Sequence, residues 1–168
     1  MMVWLVGMMG SGKSTAGRLA ADRLGVEFHD TDAIVAKRMG CSVAQLWGEL
    51  GEATFRDLET IAMGELASAE GFKSTGGGVV LDAGSRSLLK SASKVVWLRA
   101  SPRTLAKRLE KQSDRPLLAG PQQDHPQLLA KILEERAPMY EEVATDQIDT
   151  DPLDTSGVSV LLEQIWLS

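Results

Sequence analysis

Apolar and polar positions along this chain switch repeatedly between a strand-like and a helix-like period. Val3-Trp4-Leu5-Val6 is an unbroken apolar run, as in a strand buried on both faces. Ala16, Leu19, Ala20 and Leu24 then fall on one helical face, which Gly25 closes. Residues 26–30 read as a second short strand. Helical patterns follow over 33–39, 42–49 and 52–69, with Ser42 and Gln45 spaced as a capping box. A third strand is predicted over 72–75, stopped by Gly76-Gly77-Gly78, and a helix over 85–90 leads to the continuous apolar run Val95-Val96-Trp97-Leu98. Pro102 opens a helix running to about residue 111. Residues 112–126 turn to Ser, Asp, Pro, Gly and Gln, the composition of a long mobile segment. A helix to about residue 137, a short strand over 147–149 and a terminal helix over 157–167 complete the pattern. Strict alternation of this kind predicts an α/β fold: a parallel sheet covered on both faces, with ligands at the carboxyl ends of the strands.

At 168 residues the chain fits one domain, residues 1–168, with no internal repeat. A net charge of −5 without any Lys/Arg cluster, and four tryptophans scattered rather than interleaved with basic residues, argue against nucleic-acid binding. Cys41 is the only cysteine, which excludes an intrachain disulfide or a multi-thiolate metal site and suits a reducing compartment. The first nine residues are apolar but lack a basic flank and a cleavage pattern. No later stretch has the roughly 18 apolar residues of a membrane span, so a soluble, cytoplasmic protein is expected.

The strand ends carry the chemistry. Directly after the first strand stands Gly7-Met8-Met9-Gly10-Ser11-Gly12-Lys13-Ser14, a full match to the phosphate-binding loop G-x-x-x-x-G-K-[ST]. Its glycines let backbone N–H groups close around a phosphate, Lys13 supplies a point charge for the β- and γ-phosphates, and the Ser14 hydroxyl can ligate Mg²⁺. After the second strand, Asp30-Thr31-Asp32 sets two carboxylates in alternating directions. One could hold the metal or its waters and the other could orient an alcohol and take its proton, while the plainer alternative makes Asp32 a helix cap. The triple glycine after the third strand lets a ligand lie against bare backbone, or is only a flexible turn. Arg56 and Arg136 each read alone as solvated helix residues. Arg115 sits in the mobile segment, from which it would swing over the phosphates on closure.

Taken in order, Gly7 to Thr15, Asp30-Thr31-Asp32, Phe55-Arg56 with Glu59, the triple glycine, Arg115-Pro116-Leu117-Leu118 and Arg136-Ala137-Pro138-Met139-Tyr140 resemble shikimate kinase over nearly the whole chain. That resemblance implies a three-layer phosphate-loop kinase fold of the nucleoside-monophosphate-kinase type, with a five-stranded parallel sheet and a lid over 112–126. The reaction it implies is phosphorylation of the 3-hydroxyl of shikimate by ATP, with Mg²⁺, by a monomer that has no nucleic-acid or membrane partner. It further implies ATP contacts from Gly10, Ser11, Gly12, Lys13, Ser14, Thr15, Arg108 and Arg115, with Arg108 packed on the adenine. Ser14 and Asp30 would serve the metal. Asp32 would bind substrate hydroxyls and act as base, and Arg56 and Arg136 would grip the shikimate carboxylate. Glu59 would orient Arg56, and Gly76, Gly77 and Gly78 would offer backbone donors, chiefly through Gly77. Trp47 would stand beside the substrate.

Members of the family often carry a basic residue near the adenine after the last strand, whereas this chain has Asp151-Pro152-Leu153-Asp154. Gluconate kinase shares the loop without an evident need for two arginines. Nucleoside-monophosphate kinases need a base pocket. A non-catalytic binding relative would not require Lys13, Ser14, Asp32 and Arg115 together.

Overall fold

In the computed structural model, which describes residues 1–110 and 124–168, five strands form one parallel sheet. They are β1 (Met2–Val6), β2 (Phe28–Asp30), β3 (Gly71–Ser74), β4 (Lys94–Arg99) and β5 (Asp146–Asp149), in the order β2-β3-β1-β4-β5. Between them run α1 (Lys13–Leu24), α2 (Thr31–Met39), α3 (Val43–Leu66), α4 (Ala83–Ser91), α5 (Pro102–Leu109) and α6 (His125–Val143), and α7 (Thr155–Leu167) follows β5.

The apolar runs in β1 and β4 are explained by burial on both faces. Val3, Leu5, Val96 and Leu98 pack with Ala16 and Ala20 of α1 and Val158 and Leu162 of α7. Their neighbours Trp4, Val6, Val95 and Trp97 point the other way, into a core built from α3, α4, α5 and α6. A third, smaller cluster joins Val35 of α2 to Leu46, Phe55 and Ala62 of α3. That cluster sets the pair of helices that walls one side of the strand ends.

Several boundaries differ from the sequence expectation for identifiable reasons. Helix α2 begins at Thr31 because Asp30 is its N-cap, its carboxylate accepting the Ala33 N–H at 3.2 Å. The stretches 42–49 and 52–69 are continuous except at Gly51, whose φ of 80° breaks the helical path. Helix α6 does not stop near residue 137 but carries Pro138 in its interior and runs to Val143. Tyr140 and Val143 are buried in the core, and their packing holds the turns that Pro138 weakens. A 3-10 turn at Val79–Leu81, not expected from sequence, buries Val79 and Val80 directly after the triple glycine. The segment 112–126 is now bounded by α6, which starts at His125, and residues 111–123, including Arg115, lie outside the described residues.

Candidate active site

The phosphate-binding loop leaves the carboxyl end of β1 and returns as α1. Its glycines are needed for more than phosphate access. Gly7, Gly10 and Gly12 have φ of 140°, 78° and 96°, and a Cβ on Gly7 would stand 2.5 Å from the Leu98 carbonyl oxygen. Lys13 is buried and donates to the carbonyls of Gly7 at 2.8 Å and Met8 at 2.9 Å, so its charge is already held inside the loop. A cavity of about 450 Å³ opens in front of it. The loop from Met9 to Thr15 lines one side, with Asp30, Asp32, Arg108, Leu153 and Asp154 around the rest.

At the first turn of α1, the Ser14 hydroxyl donates to Asp30 Oδ2 at 2.5 Å and lies 3.1 Å from Ser74 Oγ. Asp30 therefore serves two elements at once, capping α2 with one oxygen and meeting Ser14 with the other. Three hard oxygen donors meet here. Among the described residues no three His, Cys, Asp or Glu side chains cluster as a metal cage. A small oxygen-rich corner beside a phosphate loop nevertheless fits Mg²⁺, which takes one or two protein ligands and completes its shell with water and phosphate.

Asp32 lines this cavity and a second one, of about 50 Å³, which shares Met9, Gly76 and Gly77 with the first. The second cavity is lined further by Val43, Trp47, Phe55, Arg56, Gly78 and Arg136. Here the two arginines that looked ordinary in sequence converge, one from α3 and one from α6. Arg56 donates to Glu59 Oε2 at 2.8 Å and to Glu52 Oε1 at 3.3 Å, and its guanidinium lies 5.1 Å from the Trp47 ring centroid and 5.5 Å from that of Phe55. Arg136, only 5% exposed, donates to the Gly77 carbonyl at 2.9 Å. The Nε atoms of both arginines are buried and have no hydrogen-bond partner.

The triple glycine is shaped by these side chains. A Cβ on Gly76 would stand 2.1 Å from Glu59 Oε1 and 2.9 Å from Asp32 Oδ1, and one on Gly78 would stand 2.1 Å from an Arg56 nitrogen. Bare backbone is what lets two carboxylates and a guanidinium pack against the strand end. Glu59 is 1% exposed. Burial, reinforced by the nearby Asp32 charge, raises its pKa to about 7 against the lowering pull of Arg56 and a Gly76 backbone hydrogen bond.

Among the ATP contacts expected from sequence, Arg108 lines the larger cavity, donating to Thr150 Oγ1 at 2.9 Å and to the Thr150 carbonyl at 2.7 Å. The acidic residues after β5 have backbone duties. Asp151 accepts the Ser101 N–H at 2.9 Å, and Asp154 caps α7 through the Gly157 N–H at 2.7 Å. Leu153 between them lines the cavity wall.

Sequence reasoning assigned no role to Tyr140 or Ser74. Tyr140 donates to the Gly77 carbonyl, and only its place four residues after Arg136 hinted at a shared direction.

The family model for shikimate kinase matches residues 9–166. Shikimate kinase of Moorella thermoacetica is 41% identical over 156 residues, covering 92% of this chain and 88% of its own. A solved structure of shikimate kinase from Acinetobacter baumannii in complex with shikimate superposes with a TM-score of 0.92 at 34% identity, covering 99% of this chain and 92% of that one. Deoxyadenosine kinase from M. mycoides, at 20% identity and a TM-score of 0.60, shares the fold alone, covering 100% of both chains.

Proposed function

The chain belongs to the shikimate kinase family, and from that premise we propose how its residues divide the work. The activity is transfer of a phosphoryl group from ATP to a hydroxyl of shikimate. The acceptor oxygen is the 3-hydroxyl. The observation that carries the assignment of the acceptor site is the convergence of Arg56, from α3, and Arg136, from α6, on one small cavity beside Asp32. Two guanidinium forks at one cavity suit a carboxylate, which each can hold with charge-assisted hydrogen bonds.

Shikimate lies with its carboxylate on Arg56 and Arg136 and its hydroxyls toward Asp32, where the two cavities meet. Asp32 accepts the hydroxyl proton as the acceptor oxygen bonds to the γ-phosphorus and the bond to the β,γ-bridging oxygen breaks. Lys13 turns from the Gly7 and Met8 carbonyls to the β- and γ-phosphates. Arg108 borders the adenine, and Arg115 joins the phosphates from the segment outside the described residues. Ser14 and Asp30 would hold Mg²⁺, which when bound would supply positive charge to offset that of the phosphates. Trp47 and Glu59 fix Arg56, one by its ring and one by its carboxylate. The protein acts as a single kinase domain and a cytoplasmic monomer. No helix among the described residues is long and apolar enough to cross a membrane.

The test is coupled ADP detection with Mg²⁺ and ATP, with shikimate, gluconate or a nucleoside monophosphate as acceptor. Turnover with shikimate alone is expected. Turnover with gluconate and none with shikimate would overturn the reading.

Two further results are expected. Arg56→Lys or Arg136→Lys keeps the charge and loses the fork, so shikimate binding weakens roughly ten- to hundredfold, about 1.5–3 kcal/mol, with ATP binding little changed. Calorimetry showing equal loss for both ligands would indicate a folding defect instead.

The second concerns pH. Because the folded pKa of Glu59 lies above its ordinary value, its contribution to stability is greatest below about pH 4.5 and declines as pH rises through about 7. Its hold on Arg56 runs the opposite way, since the neutral acid below about pH 7 loses the ion pair. KM for shikimate should therefore rise between about pH 8 and pH 6. Glu59→Gln should flatten that limb of the profile, and an unchanged profile in this variant would remove Glu59 from the explanation.

A further inference from the structure

Tyr140 follows Arg136 by one helical turn on α6, and both side chains end on the same atom. Arg136 donates to the Gly77 carbonyl at 2.9 Å, and the Tyr140 hydroxyl donates to the same oxygen. A carbonyl has two lone pairs, so both are taken. The Tyr140 ring is fully buried and stacks on Trp97 with centroids 5.5 Å apart. Burial pushes its phenol well above the ordinary tyrosine range, so the hydroxyl remains a donor.

A glycine triplet has no intrinsic reason to hold one peptide orientation, because both flanking residues reach nearly all backbone conformations at low cost. The described chain contains no cis peptide. Fixing the Gly77 carbonyl toward α6 therefore turns the Gly78 N–H away from it. Gly78 lines the acceptor cavity with its backbone against the Arg56 guanidinium. The same carbonyl fixes one nitrogen of Arg136, whose unpartnered Nε lies on that residue's other edge.

We propose that Tyr140 is a positioning residue for the acceptor carboxylate: by sharing the Gly77 carbonyl with Arg136, it locks the Gly77-Gly78 peptide plane and the Arg136 fork in the binding orientation. The inference rests on shikimate being the acceptor. Tyr140 makes no contact with the reacting atoms and acts through Arg136 and the glycines.

Tyr140→Phe tests it, since the ring and its stack on Trp97 are kept and only the hydroxyl is removed. KM for shikimate should rise about tenfold, while kcat and KM for ATP stay within about twofold. An analogue of shikimate with its carboxylate replaced by a primary alcohol supplies the readout that a packing role would not move. The preference in kcat/KM for shikimate over this analogue should fall about tenfold in Tyr140→Phe, because the lost interaction is the carboxylate grip. Adding Tyr140→Phe to Arg136→Lys should cost less than about twofold more, as for residues acting through one contact. An unchanged KM for shikimate would overturn the proposal. So would equal rises in both KM values with an unchanged preference and a lowered Tm, which would make Tyr140 a packing residue. A wild-type protein that fails to phosphorylate shikimate would instead overturn the acceptor assignment itself, and this inference with it.

Discussion

Asp32→Asn is expected to lower kcat for shikimate phosphorylation by about 10²- to 10⁴-fold, with KM for ATP little changed. The substitution is nearly isosteric and leaves a group that can still accept a hydrogen bond from a hydroxyl, but one too weakly basic to take its proton. The plainer role for Asp32, a helix cap, predicts the reverse: activity kept and stability lost. That role belongs to Asp30, whose carboxylate receives the Ala33 N–H. Asp32 stands instead in the first turn of α2, on the boundary of both cavities. Its charge is also one of the causes that raise the pKa of Glu59. Neutralising Asp32 relieves that repulsion and offsets the loss of an acidic residue near a helix N-terminus, so Tm should move by only a few degrees. Steady-state turnover and a thermal melt on the same sample decide the matter. Near-wild-type kcat with a lowered Tm would return Asp32 to a structural role.

The fold was legible because the alternation of apolar runs and helical stripes directly records burial. Val3 to Val6 and Val95 to Leu98 are apolar throughout since each face of those strands meets a helical layer. The phosphate loop was equally plain, as its residue types are fixed by local geometry. Other features depend on contacts distant in sequence. Arg56 and Arg136 are 80 positions apart and individually unremarked; only the sheet order and the packing of α3 and α6 across it bring them to one cavity. The resemblance to shikimate kinase implies that pairing, whereas neither arginine's local pattern does.

The continuation of α6 past Pro138 was missed because local preference ends a helix there, while Tyr140 and Val143 obtain their reward only in the folded core. The loop after β5 departs from the family's basic residue, and the structure gives Asp151 and Asp154 a local duty that the residue types alone do not reveal, accepting backbone N–H groups. Both carboxylates stabilise the turn, and Asp154 also lines the larger cavity. In sequence the glycines permit either a ligand against bare backbone or a flexible turn; the structure adds that Gly76 and Gly78 make room for Glu59, Asp32 and Arg56.

The other large effect is expected from Lys13→Met, which should reduce kcat by about 10²- to 10³-fold or more while shikimate binds with wild-type affinity. Methionine nearly matches the length of lysine and fills the same space, so the variant isolates the charge. In the folded chain that charge is held by the Gly7 and Met8 carbonyls. The ATP phosphates must draw it away from two neutral acceptors, which they can do because a charge-assisted bond to phosphate is roughly twice as strong as one to a neutral group. The variant leaves both carbonyls short of a donor but also removes a buried cation, and these changes in stability oppose each other. Shikimate affinity is the control, since Lys13 is absent from the lining of the acceptor cavity whereas Arg56 and Arg136 remain there. Calorimetry with shikimate and coupled ADP detection should therefore diverge sharply in Lys13→Met. Loss of both together would mean that the loop had collapsed, and kcat within tenfold of wild type would show that the lysine charge is not needed at the transferring phosphate.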